Sequence, residues 1–207
     1  MIWAIGDIHG NISTYESILK TIHQYDLDAY TFQVGDMGMG FRGVAYPKVG
    51  PNDFWIAGNH DDALICKKCP CNLGDYGVKQ VMGMKVFFIR GAMTTDKYRR
   101  HDGISFWQYE ELTYQDCLKA IDLYIQEKPD MVVSHDCPMQ VRSLHKMAQR
   151  PHGVTVPVLT QMYEAHQPNY WCYGHHHMNW KDKVGDTAFT CIAPLERVII
   201  AGEEQPT

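Results

Sequence analysis

Five short apolar runs recur along the chain, and each gives way at its C-terminal end to a polar turn, led in four cases by glycine: "MIWAI" before "GDIHG", "YTFQV" before "GDMG", "DFWIA" before "GNHD", "DMVV" before "SHDCP" and "NYWCY" before "GHHH". Runs of this length, bounded by turn signals, predict buried strands that deliver side chains at their C-terminal ends. Between the first two, Ile12, Tyr15, Ile18, Leu19 and Ile22 share one face at helical spacing, with Asn11 or Ser13 as the cap. This predicts a strand, turn, helix, strand unit. A second helix is expected from Thr113, with Asp116 as its capping-box partner, Leu118, Ile121 and Ile125 turned inward, and Pro129 beyond its end. The stretch "VKQVMGMKVFFIRGA" reads as one or two further strands turning at Gly83, and "TAFTCIAPLERVIIAG" as closing strands. Strands alternating with helices give an α/β fold, in which ligands gather beyond the carboxyl ends of strands.

Composition narrows the picture. A chain of 207 residues with 45% hydrophobic content can bury one core, and without repeats, low-complexity tracts or linkers it is expected to form a single domain over residues 1–207. A net charge of -5 leaves no global basic field, so strong nucleic-acid binding is not expected. No stretch approaches the roughly 20 apolar residues of a membrane span, and the abrupt start leaves no room for a signal segment. The expected location is cytoplasmic. Seven cysteines then read as reduced thiols. Cys66, Cys69 and Cys71 in "CKKCPC" offer three sulfurs for zinc but no obvious fourth ligand, which favours plain loop thiols.

The turns carry Asp7 and His9, then Asp36, then Asn59 and His60, then His135, then His175 and His177. Taken singly, each has a bland reading as a turn former or a satisfied polar group. Random turns have no reason to supply oxygen and imidazole donors at every strand end. Alternate residues of an extended segment point the same way, so His175 and His177 are expected to share one centre while His176 faces elsewhere, at a rim.

In this order the motifs resemble the calcineurin-like metallophosphoesterases, whose pattern runs D-x-H, G-D, G-N-H-D/E, H and G-H-x-H. Here it stands as Asp7-Ile8-His9, Gly35-Asp36, Gly58-Asn59-His60-Asp61, His135 and Gly174-His175-His176-His177. The segments "GDYG", "RGA" and "SFWQYEEL" look most like small bacterial and phage members. The resemblance implies a two-sheet α/β/β/α sandwich with a two-metal centre along one edge. One metal would take Asp7, His9, Asp36 and His177, the other Asp36, Asn59, His135 and His175, with Asp36 as the bridge. It also implies that His60 is a general acid at the leaving group, with Asp61 or Asp62 to orient or charge it.

Two divalent ions about 3.5–4 Å apart can share a hydroxide as nucleophile and stabilise the entering and leaving oxygens of an in-line displacement. Asp7 and Asp36 leave such a centre net positive, attractive to phosphate. The mixed oxygen and nitrogen donors suit manganese first, with iron, zinc, nickel or cobalt as alternatives, over calcium. One departure is informative. Where protein Ser/Thr phosphatases and dinucleoside tetraphosphatases of the superfamily carry an Asp-Arg pair, this chain has Met39 and Gly40. Asn59 and Arg42 are the expected substrate contacts; Arg42 or the cluster Lys97, Arg99 and Arg100 stands in for the lost arginine, against the reading of each as a solvated surface charge. The expected activity is hydrolysis of a small or nucleotide-like phosphodiester. A phosphoprotein monoesterase is the alternative, and a non-catalytic interaction module on the same fold is a further one. Phe106 and Trp107 read as packing residues.

Overall fold

The structure, a computed structural model, describes residues 1–145 and 152–202. In one sheet β1 (Ile2–Ile5), β2 (Tyr30–Gln33) and β3 (Asp53–Trp55) run parallel, and β10 (Arg197–Ala201) closes the edge antiparallel to β1. The second sheet contains β4 (Tyr76–Val81), β5 (Met84–Ile89), β6 (Met131–Ser134), β7 (Tyr170–Tyr173), β8 (Trp180–Val184) and β9 (Thr187–Cys191), in the order β4-β5-β6-β7-β9-β8. Its central strands β5, β6, β7 and β9 are mutually parallel.

Alternation along these central strands accounts for their continuous apolar runs. Val86 and Phe88 of β5 and Met131 and Val133 of β6 meet Ile2, Phe32 and Phe54 of the first sheet. Phe87 and Ile89 of β5, Val132 of β6 and Trp171 of β7 point the opposite way, into a core covered by α3 (Tyr114–Glu127) and α5 (Thr155–Ala165). A strand buried on both faces cannot alternate apolar with polar. On the outside of the first sheet, α1 (Ile12–Tyr25) lays Tyr15, Ile18, Leu19 and Ile22 against Ile5 and Trp55. The layering is the expected α/β/β/α sandwich. The turn at Gly83 is a two-residue hairpin joining β4 to β5, with Met82 at φ 51° and Gly83 at φ 79°, the left-handed pair that a tight hairpin requires.

Some expectations fail for local reasons. Thr113 does cap α3, its hydroxyl accepting from the Asp116 amide at 3.2 Å. The inward face of α3, however, is rotated from the expected one. Cys117, Ala120, Ile121 and Tyr124 are buried, whereas Leu118 and Ile125 are 45% and 44% exposed. Apolar spacing alone cannot see that Tyr124 buries its ring and satisfies its hydroxyl on the His166 carbonyl at 2.8 Å. Asn11 precedes α1, but its side chain accepts from the Thr14 hydroxyl and not from a helix amide. The helix α5 has no clear signal in the sequence because Pro157 looks like a breaker, yet that proline occupies the first turn, where a missing N–H costs nothing. Cys66 and Cys69 pack in the core beneath α1, and the thiols of Cys69 and Cys71 face the carbonyls of Ile65 and Gly50, so the three sulfurs share no centre. Among the described residues no helix is long and apolar enough to cross a membrane.

The rotated face of α3 is testable by denaturant unfolding. Ile121→Ala should cost about 2–5 kcal/mol, because it opens a cavity against the second sheet, whereas Leu118→Ala should cost less than about 1 kcal/mol. Comparable losses would contradict the packing described.

Candidate metal centre

All five turns leave the carboxyl ends of parallel strands, three from the first sheet and two from the second, and converge at one edge of the sandwich. His9 Nε2 and His177 Nε2 stand 3.0 Å apart, and His177 Nε2 lies 3.2 Å from Asp7 Oδ2. Asp36 Oδ2 is 3.9 Å from His9 Nε2. The other oxygen of Asp36 faces a second group: Oδ1 is 3.1 Å from His135 Nε2, which is 3.2 Å from Asn59 Oδ1, itself 3.0 Å from His175 Nδ1. The donor atoms of Asp7, His9, Asp36 and His177 all lie within 4.8 Å of one another, a cluster that could hold a metal ion.

The protonation chemistry fits as well. His135 Nδ1 lies 2.8 Å from the Val34 carbonyl, to which it donates, and this leaves Nε2 to face Asp36 and Asn59. Burial brings His175 down to about 4 and so favours the neutral form that ligates. Against the burial that disfavours its charge, the Asp36 carboxylate raises His135 to about 10, so a metal would have to displace a proton there.

The backbone is bent to bring these atoms together. His9, Asp36, His175 and His177 all adopt left-handed conformations, with φ of 49°, 57°, 63° and 53°. Each costs of order 1–3 kcal/mol and persists only where the surroundings enforce it. The segment after β7 is therefore not extended, contrary to the expectation from alternation. His175 and His177 do join the two donor groups, but through two left-handed turns, while His176 turns away to Asp136, 2.9 Å from its Nε2. Two glycines of the turns are explained by proximity. A Cβ at Gly58 would strike Asp36 and His135, and one at Gly174 would strike Asp7.

Asp61 has a role other than the expected one. Its fully buried carboxylate accepts from the backbone amides of Met37, Gly38, Met39 and Gly58 at 3.0, 2.7, 2.7 and 2.8 Å. Among the described residues His60 is not one of its partners. It ties the turn after β2 to the turn after β3 and so fixes the peptide that carries Asp36. Burial and then the charge on Asp36 push it up to about 7, against the four donors that hold the anion. Asp62 is likewise structural, capping the short helix α2 (Ala63–Cys66).

A cleft of about 390 Å³ opens over these residues, lined by Asp36, Asn59, His60 and His175–His177 together with Thr95, Asp96, Arg100 and Arg142. Arg42, expected to contact substrate, is exposed and lies outside this lining. The guanidinium at His60 belongs to Arg100, whose Nη1 and Nη2 lie 3.1 and 2.9 Å from the two ring nitrogens while its Nε holds Asp96. Burial, opposed by Asp36 and reinforced by Arg100, brings His60 down to about 4. Asn59 donates its amide to Thr94 Oγ1 at 3.0 Å, which turns Oδ1 toward the imidazoles. Trp107 and Phe106 are buried as packing residues, Trp107 edge-on to Phe41. Thr94, Asp136 and Arg142 carry no turn motif that sequence reading would detect. For Asp136 the one available signal is its place next to His135.

A family model described as calcineurin-like phosphoesterase matches residues 1–179. No curated protein matches the chain. Among solved structures, the phosphopantetheinyl hydrolase of Mycobacterium tuberculosis is 11% identical over 94% of this chain and 89% of its own, with a TM-score of 0.51. A protein of Thermus thermophilus, described as hypothetical, is 13% identical over 93% of this chain and 75% of its own, also with a TM-score of 0.51. At such identities the likeness is one of fold. The family match, by contrast, runs over most of the chain and takes in all five turns, so the protein belongs to the calcineurin-like phosphoesterases and is a metal-dependent hydrolase of phosphate esters.

Proposed function

We propose that the protein binds two divalent ions, manganese first among manganese, iron, zinc, nickel and cobalt, and hydrolyses small or nucleotide-like phosphodiesters. The observation that carries this reading is the division of Asp36, one oxygen toward His9 and its group, the other toward His135 and its group. When bound, the ions supply an activated water as nucleophile and positive charge for the phosphoryl oxygens. The chain supplies the rest. Asp7 and Asp36 bring too little negative charge to cancel two dications, so the cleft attracts an anion. Asn59 is held by Thr94 with its oxygen toward the centre, and His60 stands at the cleft wall as the proton donor for the leaving oxygen. An anionic ester entering beside His60 favours its charged form, so protonation accompanies substrate binding.

The preference for a diester rests on the arginines. Neither Met39 nor Gly40 offers a side-chain donor, and the fork of Arg100 is already engaged by His60 and Asp96. A diester, with one negative charge fewer than a monoester, needs less from such a wall. The presence of Arg100 in the cleft favours the second reading, a phosphomonoesterase, should its fork leave His60 for substrate.

With manganese, kcat/KM for a bis-aryl phosphate diester should exceed that for the matching aryl monoester. A clear win for the monoester moves the phosphatase reading to the front, and loss of that activity in Arg100→Ala would then assign the grip to Arg100. For His60→Ala, turnover of a substrate with a poor leaving group should fall about 100- to 10,000-fold with metal content unchanged, and the defect should shrink for p-nitrophenolate. Metal loss in this variant would make His60 a ligand.

A further inference from the structure

Beyond the donor groups, the cleft ends in a second set of side chains that neither ligation nor leaving-group chemistry uses. Arg142, on the short helix α4 (Met139–Leu144), is 3% exposed yet contributes to the cleft wall beside His176. Its Nη1 donates to both Asp136 oxygens, at 3.1 and 3.0 Å. Asp136 Oδ1 also accepts from His176 Nε2 and from the Cys137 amide, each within 2.9 Å, so three donors converge on that oxygen. The opposite edge of the guanidinium is different. Among the described residues, the buried Nε has no acceptor, and none faces Nη2.

A buried, unpaired donor on a charged group costs on the order of 1–3 kcal/mol, and native interiors rarely leave one unexplained. The Nε and Nη2 protons of a guanidinium are parallel and match two oxygens of one oxyanion. Asp136 holds Nη1 alone, which leaves the Nε–Nη2 edge without a partner among the described residues. The His175 ring and Asp136, 3.9 Å apart, stand between Arg142 and the donor atoms around Asp36. Asp136 Oδ2 is thus 3.9 Å from His175 Nε2 on one side and 3.0 Å from Arg142 Nη1 on the other, which sets Arg142 apart from the donor atoms around Asp36.

We propose that Arg142, oriented by Asp136 and flanked by His176, is a subsite for a second oxyanion of the substrate, a phosphate or carboxylate lying beyond the scissile ester. This rests on the phosphodiesterase reading and narrows it to esters that carry an additional anionic group.

The test has two arms. In metal-free protein, inorganic phosphate should shift the Arg142 Nε–H resonance, assigned by its loss in Arg142→Lys, and acetate in a parallel titration tells whether a carboxylate serves equally. In manganese-loaded protein, the p-nitrophenyl ester of thymidine 5′-phosphate should be cleaved with a kcat/KM roughly 10- to 100-fold higher when a 3′-phosphate is present. Arg142→Lys, which keeps the charge that Asp136 requires but loses the parallel donors, should collapse that ratio at least about fivefold. A resonance unmoved by phosphate and acetate, or a ratio near one in the native enzyme, would overturn the subsite while leaving the diesterase reading intact. If neither ester is cleaved, the diesterase reading fails, and the resonance arm alone decides the subsite.

Discussion

The arrangement of the site depends on the buried carboxylate of Asp61. Four backbone amides from two turns converge on it, and without an acceptor there each would be a buried, unpaired donor. By meeting them at once, Asp61 clamps the turn after β2 against the turn after β3 and holds Asp36 in a left-handed conformation that it would otherwise leave. Asp36 in turn accepts the His60 amide at 2.7 Å and divides its oxygens between two groups of donors. The strain at His9, His175 and His177 is tolerable because the sheets on either side fix the ends of each turn.

Much of this was legible in the sequence. Five apolar runs ending in ligand-bearing turns locate the parallel strands, and parallel strands put those ends on one side. Their two-faced burial also explains why Phe87 and Phe88 are both apolar. What stayed hidden depends on contacts between distant segments. Nothing near Asp61 says that its partners are the amides of residues 37–39. Arg100 and Arg142 have the same composition as solvated arginines, and only the fold brings one to His60 and the other to Asp136. Leu118 and Ile125 show how a helical face read from aliphatic residues alone misses by a fraction of a turn when Tyr124 is the residue that packs. The alternation argument at His175–His177 assumed an extended backbone, where both residues are in fact left-handed.

The chemistry follows from where charge is and is not supplied. The donors around Asp36 are mostly imidazoles and an amide, which bring no negative charge, so the two dications proposed for this site would keep an excess positive charge for an anionic ester. The wall above them is sparing with further donors: Arg100 is tied to His60 and Asp96, and Arg142 offers one edge at a distance. On the proposed reading, such a cleft takes an ester that brings little charge to the reacting phosphorus and more of it elsewhere.

On the proposed reading, Asp36 serves two ions. Anomalous diffraction from manganese-soaked crystals tests it most directly, with metal analysis of Asp36→Ala as its solution counterpart. The account predicts two ions per chain, one beside His9 and His177 and one beside His135 and His175, both touching Asp36 and both lost in the variant. A single ion, or an ion held by Cys66, Cys69 and Cys71 with nothing at Asp36, would contradict it.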